Sequence, residues 1–575
     1  MYSTINLKKI INLTLFIILI LFFHLNYVVD TANEIAITGY SQAESIQNLS
    51  DSSYFDLGYK STAHAKKISI ISWIYYYLHI FLKIPVLLLI KIFIFLEFFS
   101  ILISVYFMMS KMKFKNSNLY SLIFTAIYVV SEIIQPNWAN YPNLFKGEWY
   151  IFPDAIFFII IGFLIDKKYN LVIFTNVFLF FIHPAKAFGI ALIVLPFFVL
   201  EIKKTKSFIS KILPTATFSS LIYGLWFITH SSIASSKIPN QLWIDLMERH
   251  NYHFVNDLLN IIFLTREVFP IFCMTFLIYF IFKDLNIRYL GFSIFFVASI
   301  GIIFDYSSLP TLIKLTLHRS SDLILHLFLV GCFYLLDAKV KSHSILSILF
   351  SSVFLLLNFN IIGVYESQYI IVLSCIFFLI INKQNFIMHF IHKLDNKKIG
   401  LLLPSVIFLL LSSNIYELSN NKSVDQLFNP PDSSYLEIQK WANENTPIDA
   451  IFHPDISYDY AWRDFSKRNS FGTPRDFVST WIYTQDLILY NESLNRLFVY
   501  DKNSEDVILK LSKDDNEFQN HYSEIYFQSY NVELFRELST EWNVDYFIWN
   551  NKYEKPNFLE ILYENEGHSV LVLKD

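Results

Sequence analysis

Four acidic side chains in the first polar break of the chain are the residues best placed to do chemistry. The break covers residues 30–67, and the acids are Asp30, Glu34, Asp51 and Asp56. Asp30 directly follows the first apolar run, so we expect it at the outer surface of a bilayer. A carboxylate fixed there can act as a general base towards an acceptor hydroxyl, or it can bind a divalent cation such as Mg²⁺ or Mn²⁺. The break contains no D-x-D pair that would require a metal, and the alternative for each acid is a solvated residue at a helix end.

Arginine marks a second group of candidates, because it is scarce in the apolar part of the chain. A guanidinium binds phosphate through a planar, bidentate fork, whereas a lysine ammonium acts as a point charge. Arg249, Arg266 and Arg319 fall on the predicted outer side, which suggests an anionic ligand such as a lipid phosphate or pyrophosphate. Arg319 is the strongest candidate, because His318 and Arg319 open an apolar helix together with capping residues 320–322. The alternative is an arginine that reaches the lipid headgroups or pairs with an acid.

Two interruptions of apolar sequence add polar candidates on the same predicted side. His183-Pro184-Ala185-Lys186 breaks an apolar stretch, and a proline break at membrane depth is tolerated mainly beside a cavity. We therefore weigh His183 and Lys186 equally as cavity-lining residues and as ordinary interface groups. The segment 135–154 is rich in Trp, Tyr and Asn, which suits sugar stacking but is more typical of an interfacial aromatic belt. Glu148 and Asp154 within it are secondary acid candidates.

The composition indicates that membrane helices must position these residues. Of the 575 residues, 54% are hydrophobic and 16% are charged, against about 25% charged in a soluble domain. The three cysteines lie within apolar runs, which favours small core residues over disulfide partners or metal ligands. Residues 68–84 are predicted to form a short interfacial helix. We predict thirteen membrane helices, near residues 10–29, 85–110, 116–134, 150–165, 170–182, 187–200, 208–229, 268–282, 287–304, 321–337, 343–361, 368–382 and 399–416.

The distribution of charge predicts the orientation of this helix bundle. Basic residues cluster on alternate loops, which is typical of cytoplasmic loops in membrane proteins. With thirteen helices, this alternation places the N-terminus in the cytoplasm and the C-terminus outside. From residue 417 onward there are 28 acidic and 14 basic residues, so the tail is acidic while the remainder is cationic. We therefore expect a multi-pass protein of the cell inner (plasma) membrane with an extracytoplasmic tail.

The tail, residues 417–575, differs in character from the membrane domain, residues 1–416. Helical spacing over 434–446 is followed by strand-like apolar segments near 450–452, 544–549 and 569–574. The predicted fold class is therefore mainly α, a polytopic helical membrane protein with a C-terminal extracytoplasmic α/β domain. No glycine-rich phosphate loop, H-E-x-x-H or C-x-x-C pattern occurs, and nothing indicates nucleic-acid binding.

This layout resembles the GT-C superfamily of membrane glycosyltransferases. The points of similarity are the thirteen predicted helices, an acid-bearing first outer loop with an interfacial helix, and an external α/β tail. The tail segment WANENTPIDAIF, residues 441–452, with Arg463 and Arg468 after it, also resembles a phrase in bacterial membrane proteins of this type. The resemblance implies that a sugar passes from a polyprenyl-phosphate carrier to an acceptor on the outer membrane face, and it puts Asp30 at the place of the family's catalytic acid or base.

On this basis we expect Asp30 to activate the acceptor, assisted by another acid of the first loop. Arg319 and the other outer cations would hold the carrier phosphate. Membrane lipid and the lipid-linked sugar donor would be the partners, whereas the sequence does not identify the sugar or the acceptor. Two other functions stay open, a transporter or flippase and a non-catalytic scaffold for cell-envelope assembly. With only 13 glycines and no inverted repeat, the sequence disfavours the transporter.

Overall fold

The computed structural model is mainly helical, with one small sheet in the tail. It describes residues 42–47, 49, 55–57, 60, 63, 66–115, 117–130, 151–202, 206–230, 236–250, 268–282, 284–305, 309–339, 433–457, 462–474, 476–477, 485–504 and 515–574. Some of the predictions lie outside these residues, namely those for Asp30, Glu34, Asp51, Glu148 and Arg266 and for the helices near 10–29, 343–361, 368–382 and 399–416.

The described part of the membrane domain is built from helices. In chain order they are α1 (Gln42–Gln47), α2 (Ile70–Leu82), α3 (Val86–Lys111), α4 (Ser117–Val130), α5 (Ile151–Ile165), α6 (Tyr169–Ile182), α7 (Pro184–Ile202), α8 (Lys206–His230), α9 (Asn240–His250), α10 (Phe269–Ile281), α11 (Leu285–Asp305), α12 (Pro310–Ile313) and α13 (Asp322–Lys339). A 3₁₀ helix, Leu317–Ser321, directly precedes α13. Nine of these helices, α3 to α8, α10, α11 and α13, coincide with predicted membrane helices.

Three described helical segments are long and apolar enough to cross a membrane. They are Val86–Lys111, Ile212–His230 and Leu285–Phe304. Their outward faces carry large apolar side chains that are more than half exposed, such as Phe218, Leu225 and Phe296. Apolar groups on the outside as well as in the core indicate association with a membrane. The full set of thirteen crossings stays a prediction.

Loops that carry lysines meet at one end of the helix bundle. Asp166, which follows α5, lies 2.6 Å from the Lys111 ammonium and 3.6 Å from that of Lys168. Asn286, near the start of α11, donates a hydrogen bond to the Leu164 carbonyl at 3.4 Å. The loops after α3, α5 and α10 therefore lie together, and we call this the basic end of the bundle. The arrangement agrees with the predicted alternation of basic loops.

Helices α6 and α7 form a hairpin that turns at His183. The rings of Tyr169, at the start of α6, and Phe198, near the end of α7, have centroids 5.5 Å apart, so the two helices run antiparallel. His183 is extended, with φ −148° and ψ 93°. Pro184 is the first residue of α7, a position at which a backbone N–H would have no acceptor within the helix, so proline costs no helical hydrogen bond. The prediction of two separate helices at this break is confirmed.

The predicted interfacial helix is α2, and it is tied to the end of α8. Trp226 of α8 donates a hydrogen bond from Nε1 to the Ile68 carbonyl at 2.8 Å, and the His230 ring stacks on Trp226 at 3.7 Å. Trp73 donates to the Lys67 carbonyl at 2.8 Å. The exposed face of α2 carries Ile74, Tyr77, Phe81 and Leu82, which suits contact with the interfacial region of a bilayer.

The tail contains a five-stranded sheet in the order β2-β1-β3-β5-β4. Its elements are α14 (Ser434–Asn445), β1 (Ile451–His453), α15 (Trp462–Ser466), β2 (Asn469–Ser470), α16 (Leu487–Phe498), α17 (Asp515–Phe527), α18 (Val532–Glu541), β3 (Tyr546–Asn550), β4 (Leu559–Glu564) and β5 (His568–Leu573). Strand β1 pairs in parallel with β2 and β3, whereas β5 is antiparallel to β3 and β4. The predicted α/β character of the tail is therefore present in the described residues.

The tail packs on three segments of the membrane domain through one hydrophobic cluster. Leu57 of the first loop, Trp243 of α9 and Ile313 of α12 share this cluster with the tail. The Ile238 amide also donates a hydrogen bond to the Gln485 carbonyl at 3.0 Å. Helix α11 runs about 31 Å between the basic end and the Ile313 region. We call the end that contacts the tail the tail end of the bundle.

Candidate functional site

A polar cavity lies at the tail end of the bundle, where α5, α7, the 3₁₀ helix and α13 meet. Its empty volume is about 550 Å³, which includes open solvent. The polar residues that line it are Asp154, His183, Lys186, Thr316, Arg319, Ser320 and Asp322. Four side chains selected from the sequence, those of Asp154, His183, Lys186 and Arg319, therefore surround one cavity although they are distant along the chain.

Asp154 and Lys186 form an ion pair in one wall of the cavity. The Lys186 ammonium lies 2.8 Å from Asp154 Oδ1, and the Tyr128 hydroxyl donates to Oδ2 at 2.7 Å. The Asp154 carboxylate is 3% exposed and sits in the first turn of α5, where the helix dipole favours a negative charge. Both of its oxygens are engaged, so Asp154 holds the lysine ammonium in place at the cavity wall.

Arg319 reaches the cavity from a 3₁₀ helix that is pressed against α11. Thr316, with φ 44°, turns the chain into this helix. Gly301 of α11 allows the close approach, because a Cβ there would lie 2.0 Å from the His318 backbone nitrogen. His318 itself is fully buried and does not line the cavity. The Arg319 guanidinium therefore extends from a 3₁₀ helix whose backbone is held in place by its packing against α11.

Asp322 is a second carboxylate in the same cavity. The sequence predicted residues 320–322 as helix caps, but they end the 3₁₀ helix and begin α13 instead, and Asp322 lines the cavity. The residue is 6% exposed, and its Oδ1 receives no hydrogen bond from the described residues. Asp322 therefore differs from Asp154, whose two oxygens both have donors.

Sequence reasoning missed three residues of this region as site candidates. They are Tyr128, Asp322 and His326, whose ring lies 4.9 Å from that of Tyr128. Nothing in the sequence separates Tyr128 from the other tyrosines, of which the chain has 35 in all. Asp322 did carry a signal, because it is an acid at the start of an apolar helix, three residues after the leading arginine candidate.

Asp56 is placed away from the cavity, in contact with the tail. It is 3% exposed, its Oδ1 accepts a hydrogen bond from the Ser470 amide at 2.6 Å, and Arg463 Nη1 lies 3.7 Å from its Oδ2. Burial raises the pKa of this carboxyl to about 7, although Arg463, the Ser470 amide, Arg496 and Lys60 act in the opposite direction. Asp56 is thus part of a buried contact and does not share the cavity with the other candidates.

The segment 55–57 and the tail residues around it form what we call the loop–tail junction. The Phe55 amide donates to Asn469 Oδ1 at 3.2 Å, and the Phe55 carbonyl accepts from Arg496 at 3.0 Å. The Arg496 guanidinium also lies 4.2 Å from the Phe55 ring centroid and donates to the Phe471 carbonyl. Leu57 is fully buried in the cluster beneath. The first loop is therefore bound to the tail by backbone, side-chain and apolar contacts.

Arg249 belongs to helix α9, whose described side chains do not line the cavity. It lies in the last turn of α9, a helix whose Trp243 packs in the cluster shared with the tail. Of the sequence candidates within the described residues, the structure brings Asp154, His183, Lys186 and Arg319 together. It separates Asp56 and His318 from them.

Three tail residues have the side-chain types of a nucleophilic triad. Ser434 Oγ lies 3.0 Å from His568 Nδ1, and His568 Nε2 lies 3.1 Å from Asp455 Oδ2. Gly567 is pressed against the hydroxyl, because a Cβ there would lie 2.2 Å from Ser434 Oγ. The neighbouring amides of Gly567 and His568 are both bound to Asn565 Oδ1, so they are not available to an oxyanion. This arrangement ties α14 to β5 and does not support a nucleophile.

Comparisons with known proteins do not identify the chain. No protein-family model matches it, and no characterised protein is significantly similar to it. Within the residues that the structure describes, no group of three or more His, Cys, Asp or Glu side chains is arranged to hold a metal ion. The resemblance to the GT-C superfamily stays a prediction, as does the binding of Mg²⁺ or Mn²⁺ that the sequence leaves open.

Proposed function

We propose that the protein is an integral membrane glycosyltransferase, which moves a sugar from a polyprenyl-phosphate carrier to an acceptor on the outer membrane face. The observation that carries this proposal is the cavity in which Arg319 and the Lys186 ammonium lie beside two carboxylates. A site that combines fixed cations with carboxylates can bind a phosphate and a hydroxyl-bearing group side by side. The apolar helices around it suit a ligand with a lipid chain.

In this proposal the cations act on the donor. Arg319 binds the carrier phosphate with its fork, and Lys186, which Asp154 holds in place, neutralises the charge that grows on the phosphate as it leaves. The acceptor oxygen attacks the anomeric carbon, the bond from that carbon to the phosphate oxygen breaks, and the acceptor proton passes to a carboxylate. The first-loop acid Asp30 is the proposed base, with Glu34 next to it.

The position of the first loop supports this assignment. Residues 55–57 are bound to the tail, and the tail packs on the same end of the bundle as the cavity. If the basic end faces the cytoplasm, as the lysines predict, the cavity opens on the non-cytoplasmic side.

A reconstituted transfer assay tests the proposal. The full chain in proteoliposomes is given a panel of radiolabelled polyprenyl-phosphate sugars and a cell-envelope extract as acceptor. We expect one sugar to be transferred, with a loss of about 100-fold for Arg319→Gln and for Asp30→Asn. Asp166→Asn, at the basic end, is the matched control and keeps its activity.

The same preparation separates the rival functions. Wild-type transfer rates in Arg319→Gln and Asp30→Asn would contradict the proposal. Uptake of a labelled solute into the vesicles without any lipid-linked sugar would favour a transporter instead. A stable complex with another envelope protein, formed equally well by both variants and without transfer, would favour the scaffold.

A further inference from the structure

The two carboxylates of the cavity are not equivalent. Asp154 accepts hydrogen bonds on both oxygens, from the Tyr128 hydroxyl and from Lys186. Asp322 lines the same cavity and is 94% buried, yet its Oδ1 accepts no hydrogen bond from any described residue. One acid therefore has its hydrogen-bonding capacity filled by the protein, whereas the other keeps capacity for a molecule that enters the cavity.

An unfilled buried carboxylate oxygen is costly to the fold. Removing a polar acceptor from water without a partner destabilises a protein by about 1–3 kcal/mol, and by more when the group is charged. Groups of this kind inside membrane proteins are usually functional, because nothing else compensates for their burial. The cost at Asp322 is relieved when a ligand donates hydrogen bonds to it.

The neighbours of Asp322 restrict what that ligand is. Arg319, three residues earlier on the 3₁₀ helix, lines the same cavity and has only donors. An ionised carboxylate has only acceptors. A donor-only group and an acceptor-only group beside each other complement a molecule that carries an anionic group next to hydroxyl groups.

We infer that Asp322 is a ligand-binding residue that accepts hydrogen bonds from sugar hydroxyl groups of a glycosyl phosphate whose phosphate contacts Arg319. This inference rests on the proposed function and deepens it, because it assigns recognition of the sugar to Asp322 and recognition of the phosphate to Arg319. Asp154 is a positioning residue that acts through Lys186. A divalent cation between Asp322 and the phosphate is the competing arrangement, and the experiment below distinguishes it.

Two probes separate sugar recognition from phosphate recognition. Farnesyl phosphate carries the anion alone, and farnesyl glucosyl phosphate, with mannosyl and galactosyl versions, carries the anion and a sugar. Binding of each is measured by isothermal titration calorimetry on the full chain in detergent, with and without EDTA. We expect the wild type to bind one sugar-bearing probe at least about tenfold more tightly than farnesyl phosphate, with or without EDTA.

The variants then assign the two roles. In Asp322→Asn the preference for the sugar-bearing probe falls about tenfold, whereas binding of farnesyl phosphate stays within about twofold of the wild type. In Arg319→Gln both probes bind more weakly by a similar factor. Asp166→Asn at the basic end is the matched control and changes neither affinity. The thermal unfolding midpoint of each variant in the same detergent shows that it is folded.

Each other outcome overturns a distinct claim. If Asp322→Asn keeps the full sugar preference, Asp322 does not contact the sugar, although the proposed function survives. If the effect of Asp322→Asn disappears in EDTA, Asp322 acts through a metal ion and the inference is wrong. If the wild type binds neither class of probe, both the inference and the proposed function fail. If Asp322→Asn is unfolded, Asp322→Glu replaces it, and an unchanged sugar preference despite the displaced carboxylate contradicts the inference.

Discussion

Asp56 and Asp322 are buried carboxylates at the same end of the molecule, yet their surroundings differ. Asp56 lies in the loop–tail junction, where a backbone amide donates to one oxygen and Arg463 lies near the other. Asp322 lines a cavity, and one of its carboxylate oxygens accepts no hydrogen bond from any described residue. Burial alone therefore does not separate an acid that stabilises the fold from an acid that meets a ligand. Asp56 Oδ2 also accepts no hydrogen bond from the described residues, so the difference is that Asp322 lines a cavity, whereas Asp56 is covered by the tail and lies 3.7 Å from Arg463.

The cations of the two regions show the same contrast. Arg496 at the junction is fully buried, bonds to two carbonyls and to Glu492, and lies against three aromatic rings. Lys186 at the cavity keeps a side chain that is 24% exposed beside its acidic partner Asp154. The junction is buried beneath the tail, whereas the cavity is open to a ligand. Four predictions test this contrast, from the largest expected effect to the smallest.

Arg496→Ala should have the largest effect on stability. The substitution leaves the two carbonyls and Glu492 without their donor inside the junction, and removing one partner of a buried charge network typically costs about 3–5 kcal/mol. Urea unfolding followed by tryptophan fluorescence measures the change. Arg536→Ala removes an arginine of an exposed ion pair and serves as the control, with less than about 1 kcal/mol expected. Equal effects of the two variants would show that Arg496 stabilises the protein no more than an exposed ion pair does.

Gly301→Ala should displace the 3₁₀ helix and with it Arg319. The added Cβ would meet the His318 backbone at 2.0 Å, and overpacking of this kind costs about 1–3 kcal/mol. The thermal unfolding midpoint and farnesyl phosphate binding both report the change, and we expect both to fall. Gly224→Ala, where nothing lies within 4 Å of the added carbon, is the control. Unchanged phosphate binding in Gly301→Ala would mean that the cavity does not depend on this packing.

Asp56→Ala and Asp56→Asn should differ at the junction. Asparagine keeps an oxygen for the Ser470 amide, whereas alanine leaves that buried donor unsatisfied at a cost of about 1–3 kcal/mol. Release of residues 55–57 from the tail exposes the neighbouring Lys60. Trypsin cleavage after Lys60 should therefore accelerate in Asp56→Ala and stay slow in Asp56→Asn. Mass spectrometry of the products, with Lys502 as an exposed reference site, gives the rates. Equal cleavage rates in the two variants would show that this hydrogen bond does not hold the first loop on the tail.

The pH dependence of the junction should follow the raised pKa of Asp56. Its pKa of about 7 lies above the ordinary 3.8, so the docked state holds the proton more tightly and is favoured as the pH falls. We expect about 1 kcal/mol of stability to be lost between pH 6 and pH 8. Arg463, Arg496 and Lys60 face this carboxyl, and burial also raises the pKa of Asp476, near Arg496, to about 7. The thermal unfolding midpoint should change less between pH 6 and pH 8 in Asp56→Asn than in the wild type. If the midpoint depends on pH equally in both proteins, the effect belongs to Asp476.

The sequence predicted the helices better than the site. Hydropathy over 85–110 or 287–304 is a local property, so the apolar runs matched the helices of the structure. Proline and histidine at 183–184 also marked the hairpin turn, because a proline break is local as well. The convergence of Asp154, Lys186 and Arg319 was not readable, since it depends on how three separate helix ends pack.

The two buried acids show the limits of prediction most clearly. Asp56 looked like a loop acid near a membrane surface, because its partners at 463–470 are about four hundred residues away in the chain. Asp322 looked like a helix cap, because an acid at a helix start usually is one. In each case the residue type was informative, whereas its role depended on a long-range contact.

The short hairpin beside the cavity also bears on how a lipid reaches it. Helix α6 has 14 residues, so it rises about 21 Å from the basic end, whereas a hydrocarbon core is roughly 30 Å thick. If the basic end lies at one membrane surface, as the lysines predict, the His183 turn and the adjoining cavity wall are recessed below the far headgroup layer. The proposed polyprenyl-phosphate donor would then reach the recess by sliding within its own leaflet, without first lifting its head into water.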